Sequence, residues 1–141
     1  MTLAEIRADF SLLDDWEDRY RYIIELGRAL PEMPAELKTD STKVRGCTSQ
    51  VWLHSRLIPG QSSEQPRLEF QGDSDAHIVR GLVAILLAIY NNRTADEIAN
   101  HDALADFASI GLQEHLTPQR SNGLAAMVAR ARSDARAAVN S

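Results

Sequence analysis

The stretch "RLEFQGDSDAHIVRGLVAILLAIY" (residues 67–90) changes its periodicity partway along, and that change decides the fold class. Over residues 67–72 apolar and polar side chains alternate, with Leu68 and Phe70 on one face, the period-two pattern of a half-buried strand. From Ile78 to Tyr90 the chain is apolar on almost every side of a helical repeat, which predicts a central buried helix. Between the two, Asp73, Ser74 and Asp75 read as capping groups that place acceptors and negative charge at the helix N-terminus. Gly81 leaves room on that helix for a neighbouring element to pack close.

Upstream, "SQVWLHSRLI" (residues 49–58) also alternates. Val51, Leu53 and Leu57 fall on one side; Trp52, His54 and Arg56 fall on the other. The turn-rich "PGQSSEQP" (residues 59–66) separates the two alternating runs, which predicts an antiparallel hairpin with a loop longer than the commonest two residues. Nearer the N-terminus, Thr2 and Glu5 match a capping box for a helix starting at Leu3. Asp14, with Glu17 three residues on, signals a second helix whose Trp16, Tyr20, Ile23, Ile24 and Gly27 share a face. Pro31 and Pro34 close it, and residues 32–45 read as a polar loop.

Downstream, Thr94 and Glu97 form another capping box, and Asp102 caps a helix to about Ser109 with Gly111 beyond its end. Thr117 followed by Pro118 opens a last helix, to about Ala138, that buries Leu124, Met127, Val128 and Ala131. Strands and helices do not alternate regularly. The expected class is therefore α+β: a small antiparallel sheet of two or three strands packed against several helices, in a single domain over residues 1–141.

Composition narrows the function. Of 141 residues 44% are apolar and 25% charged, an ordinary globular balance. The net charge of -5 argues against nucleic acid as the main partner. A single cysteine, Cys47, can form no intramolecular disulfide, and one chain cannot supply the four thiolates of a structural zinc site or an ordinary iron–sulfur cluster. No basic region followed by an apolar one marks a secretory leader at the N-terminus. The most apolar run, residues 78–90, contains Arg80 and falls well short of the ~20 residues that cross a bilayer. A soluble protein of a reducing compartment, the cytoplasm, is expected, with no membrane partner. No glycine-rich phosphate loop follows a strand, and no histidine pair shows the spacing of a helical zinc site.

Cys47 has two readings. Free cysteine is commonly a small packing residue. Yet Cys47 follows Gly46 at the junction of a polar loop and a strand, where a tight turn can present the thiol at a loop tip. Lys43 and Arg45 nearby would favour the thiolate, whereas Val44, Val51 and Trp52 packed over it would favour the neutral thiol. A cysteine hydrolase needs a histidine base, and His54, His77, His101 and His115 sit in no such signature. Arg120, near the start of the last helix, is either solvated or held to meet an anion: a thiolate, a persulfide or a partner carboxylate. Trp52 fits either the core or an interface.

"KVRGCTSQVWL" (residues 43–53) resembles the cysteine-loop motif of the SufE family of sulfur-acceptor proteins, which includes the CsdE paralogues. "LGRALPEMP" (26–34), "FQGDSDAHIVRGLVAILLAIY" (70–90) and "LTPQRSNGLAAM" (116–127) are similar to family segments in the same order, so the resemblance covers nearly the whole chain. It implies a fold similar to IscU-type scaffolds. It also implies a partner, a pyridoxal-phosphate cysteine desulfurase of the SufS or CsdA kind, whose persulfide sulfur is taken up and passed to an iron–sulfur scaffold or another acceptor. The pyridoxal phosphate belongs to the desulfurase, and no cofactor is implied for this chain. Cys47 matches the family's acceptor cysteine, Arg120 the arginine of its last motif, and Gly46, Ser49, Gln50 and Trp52 the loop that shapes the site. The implied role is a sulfur carrier that stimulates the desulfurase rather than a stand-alone enzyme. The alternative is an adaptor that activates the desulfurase without carrying sulfur.

Overall fold

The computed structural model describes residues 1–61 and 64–140. Short 3-10 turns at Ala35–Leu37 and Gln113–His115 aside, the regular structure of the described residues is six α-helices and a hairpin. In order they are α1 (Leu3–Ser11), α2 (Trp16–Ala29), β1 (Val51–Ile58), β2 (Arg67–Ser74), α3 (His77–Tyr90), α4 (Ala95–Ala99), α5 (Ala103–Ser109) and α6 (Pro118–Val139). The expected connector at residues 59–66 includes Ser62 and Ser63, which lie outside the described residues. None of the described helices is long and apolar enough to cross a membrane.

The strands pair antiparallel, Val51 with Ser74 through Ile58 with Arg67. The sheet is wider than two strands over part of its length. The Val44 N–H donates to the Val51 carbonyl at 2.8 Å, and the Leu53 N–H to the Thr42 carbonyl at 2.8 Å. A short extended segment at residues 42–44 thus lies along the outer edge of β1. Val51, Leu53, Leu68 and Phe70 are buried on one sheet face. Leu57 shares that face but is 42% exposed, while Leu68 opposite it on β2 is buried, so cover at this end of the hairpin favours β2.

α3 is the central element, with ten buried residues including Leu82, Val83, Ile85, Leu86 and Tyr90. Its covering by β2 on one side and α2 on another explains the all-round apolar pattern. α2 crosses α3 at two glycines. A Cβ at Gly81 would lie 2.2 Å from the Ile23 carbonyl oxygen, and one at Gly27 would lie 2.8 Å from the Gly81 nitrogen. α6 packs on α4 and β1 and buries Leu124, Met127, Val128 and Ala131 as expected.

Thr94 and Glu97 form the full reciprocal capping box, and Asp102 and Thr117 accept from the first turns of α5 and α6. At α1 only the Thr2 half of the expected box is present, accepting from the Glu5 N–H at 3.2 Å. α2 is capped by Asp15 rather than Asp14: the Asp15 carboxylate accepts from the Glu17 N–H at 3.0 Å. The larger correction concerns Asp73, Ser74 and Asp75. β2 runs through Ser74, and the cap of α3 is Ala76, with no side-chain bond to the helix. Asp73 is buried instead. Its carboxylate takes the Lys38 ammonium at 3.0 Å, the Arg80 guanidinium at 3.5 Å and the Ser74 N–H at 2.7 Å. The Asp75 carboxylate accepts the Gln50 N–H at 3.0 Å, and the Asp75 N–H donates to the Gln50 carbonyl at 3.2 Å. Each carboxylate fastens a segment from residues 32–50 to the end of the sheet, a contact across the chain that local spacing does not encode.

Candidate functional site

The paired Val44 and Val51 pinch off a loop, residues 45–50, with Cys47 inside it. Gly46 has φ +93°, a left-handed conformation that a side chain disfavours. It presses on α6, where a Cβ at Gly46 would lie 3.4 Å from the Ala126 Cβ. Bound by Gly46 below and by the Gln50–Asp75 pair at its far end, the loop lays Cys47 against the N-terminal half of α6. Gly123 faces it there: a Cβ on that glycine would lie 3.5 Å from the Cys47 sulfur, at ordinary van der Waals distance. The thiol donates to the Gly123 carbonyl at 3.5 Å.

Cys47 is half-buried and borders a cavity of about 220 Å³. The apolar wall is Val79 and Leu82 of α3 with Leu124 and Met127 of α6; Thr48, Ser49, Thr117, Gln119 and Arg120 form the polar part. Burial pushes the Cys47 thiol above its ordinary pKa. Of the opposed influences expected from sequence, burial is the one that acts on the sulfur here, and it disfavours the thiolate. Its hydrogen bond to a carbonyl, an acceptor that only the protonated form can use, works in the same direction.

The structure brings Cys47, Ser49, Arg120 and the Gly46 turn together. Arg120 lines the cavity, and its guanidinium makes no hydrogen bond or ion pair to any described residue. Gln50 and Trp52 do not line it. Gln50 serves through its backbone, and Trp52 is half-buried under the Lys38 ammonium, 5.1 Å from its ring centre. The cover over the sulfur also differs from expectation. Val44 and Val51 are core residues, and the shelter comes from α3 and α6. Sequence reading missed Gly123, Val79 and Met127 at the site. Their signal, a small residue and apolar positions on two distant helices, looks the same as ordinary core.

No histidine lines the cavity. His54 lies on β1 opposite Gln71, and the exposed His77 begins α3. His101 pairs with Asp106, and His115 stacks on Trp16 with ring centres 3.8 Å apart. The thiol therefore has no adjacent base, as a cysteine hydrolase would require. No group of three or more histidine, cysteine or acidic residues is placed to hold a metal among the described residues.

A family model described as a SufE, Fe-S metabolism associated domain matches residues 4–135. An uncharacterized SufE-like protein of Rhizobium meliloti is 55% identical over 134 residues, which cover 95% of this chain and 94% of that one. Another uncharacterized SufE-like protein, from Rhizobium etli, is 57% identical over 137 residues, covering 96% and 90%. The solution structure of a hypothetical protein from Thermus thermophilus superposes with a TM-score of 0.71 over the full length of both chains at 22% identity, a likeness of fold.

Proposed function

The chain belongs to the SufE family of iron–sulfur metabolism, with its sulfur-transfer role linked to cysteine desulfurases, and from that premise we propose that Cys47 is the atom that receives the sulfur. The donor is the active-site persulfide of a pyridoxal-phosphate cysteine desulfurase. The observation that carries the reading is the placement of the chain's one thiol on a closed loop, against a cavity lined by an arginine whose guanidinium has no partner among the described residues.

The step is an exchange of the thiol–disulfide type. The Cys47 thiolate attacks the outer sulfur of the donor persulfide. A bond forms between the two sulfurs, the donor's own sulfur–sulfur bond breaks, and the donor cysteine leaves as thiolate. No electrons are gained or lost overall. Cys47 then carries a persulfide, with no second cysteine in the chain to expel the sulfur as a disulfide. The cavity of about 220 Å³ exceeds several-fold the ~30 Å³ share of one water, so the added sulfur has room. Arg120 supplies a cation for the persulfide anion, and the apolar wall shields it from small thiols. Because the resting sulfur is half-buried against the cavity, the loop carries it outward before it attacks. The sulfur then passes to an iron–sulfur scaffold or another acceptor, and the protein works in the cytoplasm.

The test is turnover of a cysteine desulfurase with free cysteine as substrate. Wild type is expected to stimulate it, and Cys47→Ser is expected to leave it at the rate seen without acceptor. Full stimulation by Cys47→Ser would make the protein an adaptor and not a carrier.

A further inference from the structure

Arg130 lies two turns of α6 beyond Gly123, outside the cavity, and the transfer chemistry gives it no task. All three of its nitrogens are nevertheless engaged. Nη2 donates to the Ser41 carbonyl at 2.6 Å and Nη1 to the Lys43 carbonyl at 3.4 Å. Nε donates to the Asp134 carboxylate at 3.0 Å, whose other oxygen accepts from the Ser55 hydroxyl of β1 at 3.1 Å. The two carbonyls are those the sheet leaves over. Thr42 and Val44 turn their backbone groups to β1, while the Ser41 and Lys43 carbonyls face Arg130. Ser41 lies in the turn before the extended segment and Lys43 within it, and a planar guanidinium can bridge their two carbonyls where a single ammonium cannot.

Gly123, Ala126 and Arg130 fall on one face of α6, by the three- and four-residue spacing of a helix. Gly123 receives the thiol, Ala126 meets Gly46, and Arg130 holds the strand that leads into the loop. We propose that Arg130, oriented by Asp134, is a positioning residue that pins the amino-terminal stem of the Cys47 loop to α6. The loop tip then opens only between Val44 and Val51, and the sulfur returns to the Gly123 carbonyl. The significance of the clamp rests on the reading of Cys47 as the sulfur acceptor; its geometry does not.

Alkylation of Cys47 by iodoacetamide, with no partner present, measures the opening. Wild type is expected to react more slowly folded than unfolded in urea. Arg130→Ala, which frees the stem from two hydrogen bonds to a charged group, is expected to raise the native rate about tenfold. The rise should be independent of urea well below the unfolding transition, as for local opening. A rate that merely climbs with urea would mean general destabilisation and overturn the proposal. Arg130→Lys is expected to recover only part of the protection; full protection by lysine would overturn the bridging role. An Arg130→Ala rate equal to wild type would overturn the clamp. If Arg130→Ala does not fold, Asp134→Asn carries the same test, with a smaller rise expected and no rise contradicting it. Sulfur uptake from a desulfurase, scored on the same samples, separates the two ideas. Raised alkylation without uptake in wild type sinks the acceptor reading alone, and uptake with unchanged alkylation sinks the clamp alone.

Discussion

Gly81→Ala is expected to lower the stability of the protein by about 3 kcal/mol, and Gly81→Val to prevent folding. Two effects of opposite sign compete at this position. Alanine is favoured over glycine inside a helix by about 1 kcal/mol. Against that, the new methyl would lie 2.2 Å from the Ile23 carbonyl oxygen, 2.5 Å from its Cγ2 and 2.8 Å from its carbonyl carbon. The first and third of these atoms are backbone, so no side-chain rotation relieves the contact. α2 and α3 would have to move apart, and the buried faces of both depend on their closeness. The steric cost therefore exceeds the propensity gain. Urea unfolding followed by circular dichroism reads the result, and a midpoint equal to or above wild type would show that the crossing tolerates a side chain.

Asp73→Ala is expected to cost about 3 kcal/mol, the lower part of the range for removing one partner of a buried ion pair. The carboxylate is 4% exposed and faces Lys38 and Arg80, which are 30% and 25% exposed. Lys38 can turn to water when the carboxylate is gone. Arg80 cannot follow fully, because Nη2 is held by the Leu30 carbonyl at 2.8 Å. Its Nε is already the one fully buried side-chain nitrogen or oxygen without a hydrogen-bond partner among the described residues. The nearby negative charge compensates that orphaned donor, and alanine leaves the cation without it. Asp73→Asn, which keeps an acceptor for the Ser74 N–H but loses the charge, is expected to cost less than alanine. Equal midpoints for wild type and Asp73→Ala would refute the structural role assigned to the carboxylate.

Asp73 also shows where sequence reading reaches its limit. The residues of helix ends speak locally: Thr94 with Glu97, Asp102, and Thr117 before Pro118 each bond within three residues, and each was legible. Asp73 and Asp75 have the right chemistry for caps and the right place before a helix. Their partners, Lys38, Arg80 and Gln50, are brought up by the tertiary fold, and that choice leaves no mark in spacing. The central helix was legible because ten residues of α3 are buried on nearly all sides. The exposure of Leu57 was not, since alternation tells which face a residue shares and not which of two paired residues, Leu57 or the buried Leu68, the rest of the fold covers.

The site divides in the same way. The turn at Gly46 was legible as a glycine before the thiol, and the structure gives it the positive φ that the turn needs. The closeness of Arg120 to the cavity followed from family resemblance alone, because nothing local relates residues 47 and 120. The balance at the thiol was open in the sequence, because the burial that disfavours the thiolate comes from the fold. Gly123 and Arg130 carried no local signal: one is a small helix residue, the other a charged one, and only the loop laid on α6 gives them a task.

The reading of Cys47 as sulfur acceptor turns on the mass of the intact protein after incubation with a cysteine desulfurase and free cysteine. Wild type is expected to gain one or more sulfur atoms, to lose them on reduction, and to gain none as Cys47→Ser. A wild-type mass that does not change, or an equal gain in Cys47→Ser, would contradict it.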